Sequence, residues 1–312
     1  MSILMYILCY LALFASVAIT LMKIVGYLKK PDHLRWELYP VPHETDGRAA
    51  YGGSYMEKTE WWKSKQQSSF IGTLLGFLKE ATIMHASFEH NRCLWYRTYP
   101  FHLGIYVLAG SLALSILCGF MSIFWVGWFF KLCLYVTLLC NLAGYLGVFC
   151  GSIALILRRL QKPDLKKFSM PEHFFNLALF AVFSGLGLLL TLSSPFPLSY
   201  GGFAGQNAAF FRGMMTFTPQ SLGFLYTLYL LVCCLIFIWV PYSFMGHVFM
   251  KFFTWHDIRW NDIPTQDSEK QQAGLMDNLM RPVSWSADHI EGDGKKNWAE
   301  VATTPPHSAK KV

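Results

Sequence analysis

Residues 132–157 read LCLYVTLLCNLAGYLGVFCGSIALIL, without a charge, and stop at Arg158-Arg159. About 20 apolar residues in a helix cross the hydrocarbon core of a bilayer, so this stretch is long enough to span. Four others share its character, at about 3–22, 99–120, 174–193 and 221–249. The expected fold is all-α: an integral membrane bundle of five transmembrane helices over residues 1–261, followed by a polar tail over 262–312.

Composition agrees. Hydrophobic residues make up 54% of the 312 residues and charged residues only 14%, against about 25% charged in soluble domains. The net charge of +7 is not gathered into a stripe, since the basic residues lie between the apolar runs. That distribution reads as membrane orientation and not as a nucleic-acid partner. The eight cysteines lie mostly inside apolar runs and form no C-x-x-C, C-x-x-C-H or ferredoxin spacing. Iron–sulfur clusters, c-type haem and structural zinc therefore find no signal here.

The charges also set an orientation. Ten Lys/Arg residues fall between Lys29 and Arg97, and Arg158, Arg159, Lys162, Lys166 and Lys167 separate the third and fourth spans. Lys251 and Arg259 follow the fifth. The opposite connections offer Lys131 and Arg212 alone. The positive-inside rule then puts the N-terminus outside and the C-terminus in the cytoplasm. The first apolar run has no basic residue before it and Lys23 after it, which reads as a retained first helix rather than a cleaved signal. Residues 29–97 form a cytoplasmic loop whose later part is an interfacial helix. The tail is polar but carries Trp285, Ile290 and Trp298, which a purely solvating tail does not need.

Ionisable residues inside a span are functional candidates by default, which directs attention to the ten histidines. His33 and His43 lie in the first loop, and His289 and His307 in the tail; all four read as solvated or packing residues. His85 and His90 are five apart, a spacing that does not share a helical face. His102, just inside the second span, and His247, near the end of the fifth, fall at the same depth on the cytoplasmic side. Two imidazoles at one depth on two helices can take a b-type haem from opposite sides. Gly104 and Gly246 beside them would let a flat macrocycle approach the backbone. Two interfacial histidines snorkelling independently explain the same positions equally well. His173, which opens the fourth span after Pro171 and Glu172 in a helix-start position, and His256, beyond the fifth, are competing ligands, either of which could replace one of the pair, but neither fits better.

Phe101-His102-Leu103-Gly104-Ile105 and Pro241-Tyr242-Ser243-Phe244-Met245-Gly246-His247 resemble the gamma, cytochrome b subunit of respiratory nitrate reductase. Lys251-Phe252-Phe253-Thr254-Trp255-His256-Asp257-Ile258-Arg259-Trp260 is similar to a branch of that superfamily. The branch comprises the membrane subunits that accompany heterodisulfide-reductase-like iron–sulfur proteins in the transmembrane complexes of sulfate reducers. The resemblance implies that His102 and His247 are axial ligands of haem b, and that Arg97, Arg92 and Lys251 are candidate propionate partners; ordinary positive-inside flanking also accounts for these three cations. It further implies menaquinone as exchangeable substrate, a cytoplasmic iron–sulfur subunit as partner, a periplasmic cytochrome c as a further partner, and the bacterial cytoplasmic membrane as location. The family's second pair of haem ligands is missing, because Leu112 and Tyr229 stand at those positions. One haem is therefore expected.

For the quinone, His173 and Tyr242 with Glu172 are candidates on the inner side, and Tyr200, Gln206, Asn207 and Arg212 on the outer side. The alternative function is a redox-inactive membrane anchor that docks a soluble oxidoreductase. A transporter is disfavoured because the spans hold no acidic pair and no matched broken helices, and a membrane di-iron enzyme because dense histidine boxes are lacking.

Overall fold

Small residues decide how the second and third spans meet. Helices α4 (Arg92–Phe124) and α5 (Trp128–Gln161) run antiparallel on either side of Trp125-Val126-Gly127. A Cβ at Gly104 of α4 would lie 2.7 Å from the Gly144 carbonyl oxygen and 2.7 Å from the Val148 nitrogen of α5. A Cβ at Gly147 would lie 2.9 Å from the Pro100 oxygen, and one at Gly151 2.6 Å from the Phe101 Cβ. With no hydrophobic force between helices in lipid, such backbone proximity supplies the dispersion contacts that hold a pair together. Gly104 therefore serves helix packing. Its bare face is filled by α5, which corrects the expectation that it makes room for a macrocycle.

The computed structural model describes residues 2–30, 33–34, 44, 47–64, 69–193, 202–254, 260–261, 265–286, 290 and 293–304. The other helices up to Thr254, in chain order, are α1 (Ser2–Leu28), α2 (Phe70–Ile83), α3 (His85–His90), α6 (Pro163–Lys167), α7 (Pro171–Ser193), α8 (Phe203–Met215), α9 (Phe224–Tyr242) and α10 (His247–Thr254). Among the described residues, α1, α4, α5, α7 and α9 are long and apolar enough to cross a membrane, as the sequence led us to expect.

The fifth span is shorter than its apolar run. Pro241 lies inside the last turn of α9, and the Ser243 hydroxyl accepts from the Met245 amide at 3.2 Å, starting a 3-10 turn over Phe244–Gly246. His247 then opens a new helix instead of continuing the span. The connection between α7 and α9 also holds a helix that its sequence did not announce. Helix α8 buries Phe203, Ala204, Ala208 and Phe210 and packs against α4, where a Cβ on Gly119 would lie 2.8 Å from the Phe211 Cβ.

The chain divides into two units, one of residues 1–31 and 73–258 and one of residues 32–72 and 259–312. In the first, α1 runs beside α9, with Ser2 near Leu222 at one end and the Lys23 ammonium 2.8 Å from the Tyr242 carbonyl at the other. Among the described residues the second unit contains four 3-10 turns, a two-residue parallel strand pair of β1 (His33–Leu34) and β2 (Trp260–Asn261), and helices α11 (Glu269–Leu279) and α12 (Trp298–Thr303). Its buried Glu44 carboxylate accepts from the Ser54 hydroxyl at 3.1 Å and the Tyr55 amide at 3.3 Å. Trp285 and Trp298 meet edge to face with centroids 6.1 Å apart, beside a bridge between Pro282 and Asn297. The tail's tryptophans thus pack against each other.

A candidate haem site between two histidines

Both histidines singled out by depth stand two to six residues past a helix-interior proline, His102 after Pro100 and His247 after Pro241. The structure brings them together: their ring centroids are 6.3 Å apart and their planes are inclined by 55°. His102 is half-buried on α4, and its Nδ1 lies 2.9 Å from the Thr98 carbonyl oxygen. His247 is exposed at the start of α10, with Nδ1 3.3 Å from the Phe244 carbonyl oxygen. A ring nitrogen facing a carbonyl carries the proton, so in both residues Nε2 is left as the unprotonated, electron-donating atom.

That donor set fits a bis-histidine haem. Metal–imidazole bonds of about 2.0 Å on opposite sides of one ion place the two ring centroids about 6 Å apart. The second requirement, an outer partner that fixes the tautomer of each ligand, is met by Thr98 and Phe244. His102 is flanked by Phe101, which meets Phe180 of α7 edge to face at 5.3 Å, so a packed aromatic neighbour anchors this histidine.

The three candidate propionate partners are engaged elsewhere. One guanidinium nitrogen of Arg97 lies 2.7 Å from the Cys93 carbonyl oxygen and 2.9 Å from its sulfur. The Arg92 guanidinium covers the Phe88 ring at 3.4 Å, a cation–π contact. The Lys251 ammonium pairs with Glu80 at 3.2 Å.

On the inner side, His173 accepts from the Met170 amide at 2.9 Å through Nδ1, the helix-start role its position suggested. Its ring also lies 5.1 Å from Phe244, the residue whose carbonyl faces His247. Tyr242 is exposed and stacks obliquely on Trp239 at 5.8 Å. His85 pairs with Glu89 at 2.8 Å, one turn along α3. His43, His256, His289, His307 and Tyr200 lie outside the described residues, as do Arg259 and residues 35–40; of His33 only the backbone is described.

The two positions that lack the second ligand pair have their own environment. Tyr229 is buried and its hydroxyl shares a 2.6 Å hydrogen bond with that of Tyr145. Both Tyr229 and Leu112 line a cavity of about 250 Å³ among α1, α4, α5, α8 and α9. Asn207 accepts from the Tyr226 hydroxyl at 2.8 Å. Gln206 and Arg212 line a separate cavity of about 390 Å³.

A family model described as nitrate reductase gamma subunit matches residues 79–260, more than half of the chain. No curated protein and no solved structure matches it.

Proposed function

The chain belongs to the nitrate reductase gamma subunit family, and from that premise we propose that it holds one haem b between His102 and His247 and exchanges electrons between menaquinone and a cytoplasmic iron–sulfur subunit. Members of the family are multi-pass membrane cytochrome b subunits of respiratory complexes, which act with partner subunits. The single observation that carries the ligand assignment is the 6.3 Å ring separation, with both Nδ1 atoms turned to backbone carbonyls.

When bound, haem b supplies a one-electron couple at iron, with a potential tuned by its axial ligands and their surroundings. The chain's own residues do the rest. His102 and His247 would hold the group through Nε2, with the Thr98 and Phe244 carbonyls orienting the rings and raising their basicity. Phe101 and Phe180 keep water from the half-buried side of the site. Arg97, Arg92 and Lys251 would pair with the haem propionates only by leaving their contacts with Cys93, Phe88 and Glu80. One haem is proposed because Leu112 and Tyr229 stand where a second ligand pair would be required.

The iron–sulfur partner is placed in the heterodisulfide-reductase-like class on the strength of the Lys251-Phe252-Phe253-Thr254 phrase and the residues after it. A periplasmic cytochrome c is a further candidate partner. The charge distribution supports an N-terminus outside and a C-terminus in the cytoplasm of a bacterial inner membrane. A fluorescent protein fused to the C-terminus is expected to fluoresce, and alkaline phosphatase at the same position to be inactive; the reverse pattern would invert the topology.

The quinone link has its own test. A soluble menaquinol analogue added to the oxidised, purified chain is expected to give a reduced b-type absorption band within seconds. A band that stays oxidised, yet appears with dithionite, would remove the quinone from this reading.

A further inference from the structure

The cavity beside Tyr229 is lined by a side chain with one polar atom that has no hydrogen-bond partner among the described residues. Asn141 of α5 is 2% exposed, and its side-chain oxygen accepts from the Ser111 hydroxyl of α4 at 2.6 Å. Its amide nitrogen is buried and has no partner among the described residues. An unmade hydrogen bond at a buried donor is costly, and in the apolar interior of a bilayer water is not at hand to satisfy it. Such an orphan in a membrane protein marks a place where something else supplies the acceptor.

The surroundings define what that something is. Asn141, Ser111, Tyr145 and Tyr229 give the cavity a small polar floor. Apart from Ser115 and Asn207 the rest of the lining is aliphatic, aromatic or sulfur-bearing, the usual make-up of a site for a flat apolar ligand with few polar atoms. Its volume of about 250 Å³ is near the lower limit of about 300 Å³ for small-molecule pockets, enough for a one- or two-ring headgroup. Leu13, Leu112, Ile116 and Phe237 line it too, and each is more than a third exposed. The cavity therefore opens on an apolar surface that faces lipid in a spanning bundle, where a long hydrocarbon tail can leave it.

We propose that this cavity is the quinone site, in which the Asn141 amide donates to a carbonyl oxygen of an isoprenoid quinone whose tail passes out beside Leu112 and Phe237. This rests on the reading of the chain as quinone-linked, and it moves the site away from the inner-side candidates His173 and Tyr242. Ser111 lies nine residues beyond His102 on α4, about 14 Å along the axis, so quinone and haem occupy different levels of the bundle. A phospholipid chain would fill the volume but leave the Asn141 donor unpaired.

The test uses the purified full chain in detergent and a naphthoquinone carrying one prenyl unit, with binding measured by calorimetry. Wild type is expected to bind it. Asn141→Leu, which removes the donor, is expected to weaken binding about tenfold, and Leu112→Trp, which fills the mouth, at least as much. Both variants should remain folded, as a monodisperse size-exclusion profile would show. A photoreactive form of the same quinone, applied to wild type alone, is expected to label peptides within residues 108–116 or 226–237. No binding to wild type, unchanged affinity in the folded variants, or labelling confined to other segments would overturn the site. A wild-type preparation that binds the quinone but never carries haem would sink the haem reading and leave this site standing.

Discussion

Replacing either His102 or His247 with alanine is expected to strip the chain of its haem. Losing even an outer partner of a metal ligand typically costs 10–100-fold in affinity, so loss of an axial ligand should lower haem per chain by at least about tenfold. The two substitutions should act alike although the residues sit on different elements, α4 and α10, because each would leave the iron with one imidazole. Among the described residues the competing ligand His173 is already engaged, its Nδ1 accepting from the Met170 amide. His85→Ala, which breaks an ion pair on α3, should leave haem content as in wild type. Normal haem in both His102→Ala and His247→Ala would refute the ligand assignment and favour a membrane anchor without a redox centre.

The second large effect belongs to the α4–α5 interface. In Gly151→Leu the new Cβ would lie 2.6 Å from the Phe101 Cβ and 2.8 Å from its Cα and nitrogen. These neighbours are backbone or rooted in it, so no flexible tip can move aside, and α4 must shift from α5. Overpacking costs about 1–3 kcal/mol when the core can adjust; here it should cost more, against a total stability of about 5–15 kcal/mol. We expect Gly151→Leu to aggregate on detergent extraction and to lose haem with it, since Phe101 adjoins His102. Gly110→Leu is the matched control, because a Cβ there meets nothing within 4 Å. Size-exclusion profiles of the two variants decide the matter: a monodisperse Gly151→Leu protein would mean that the two helices are not held by this contact.

The sequence carried the membrane architecture well, for a physical reason. A span must be long, apolar and uncharged, and its flanks sort by charge, so residues 132–157 and the arginines behind them are readable without neighbours. Pairing the histidines by depth followed from the same rule. What could not be read was anything set by contact between elements. Helix α4 starts at Arg92, seven residues before the expected span, because a helix need not stop at the membrane surface. The fifth apolar run reaches Phe249, yet α9 ends at Tyr242, where Pro241 and the Ser243 cap outweigh hydropathy. Gly104 invited a macrocycle on paper and packs against Gly144 and Val148 in space. Helix α8 was hidden because it is too short to span, although Phe203, Ala204 and Ala208 carry a helical spacing that could have revealed it. The cavity at Asn141 was invisible, since an uncharged asparagine in a long apolar run announces nothing until its amide is found without a partner.

The central claim is one bis-histidine haem in this chain, and its most direct test is the haem stoichiometry and spectrum of the purified wild-type protein. The account predicts one haem b per chain, low-spin in both oxidation states as two strong axial imidazoles require. A chain free of haem, or one carrying two, would contradict it.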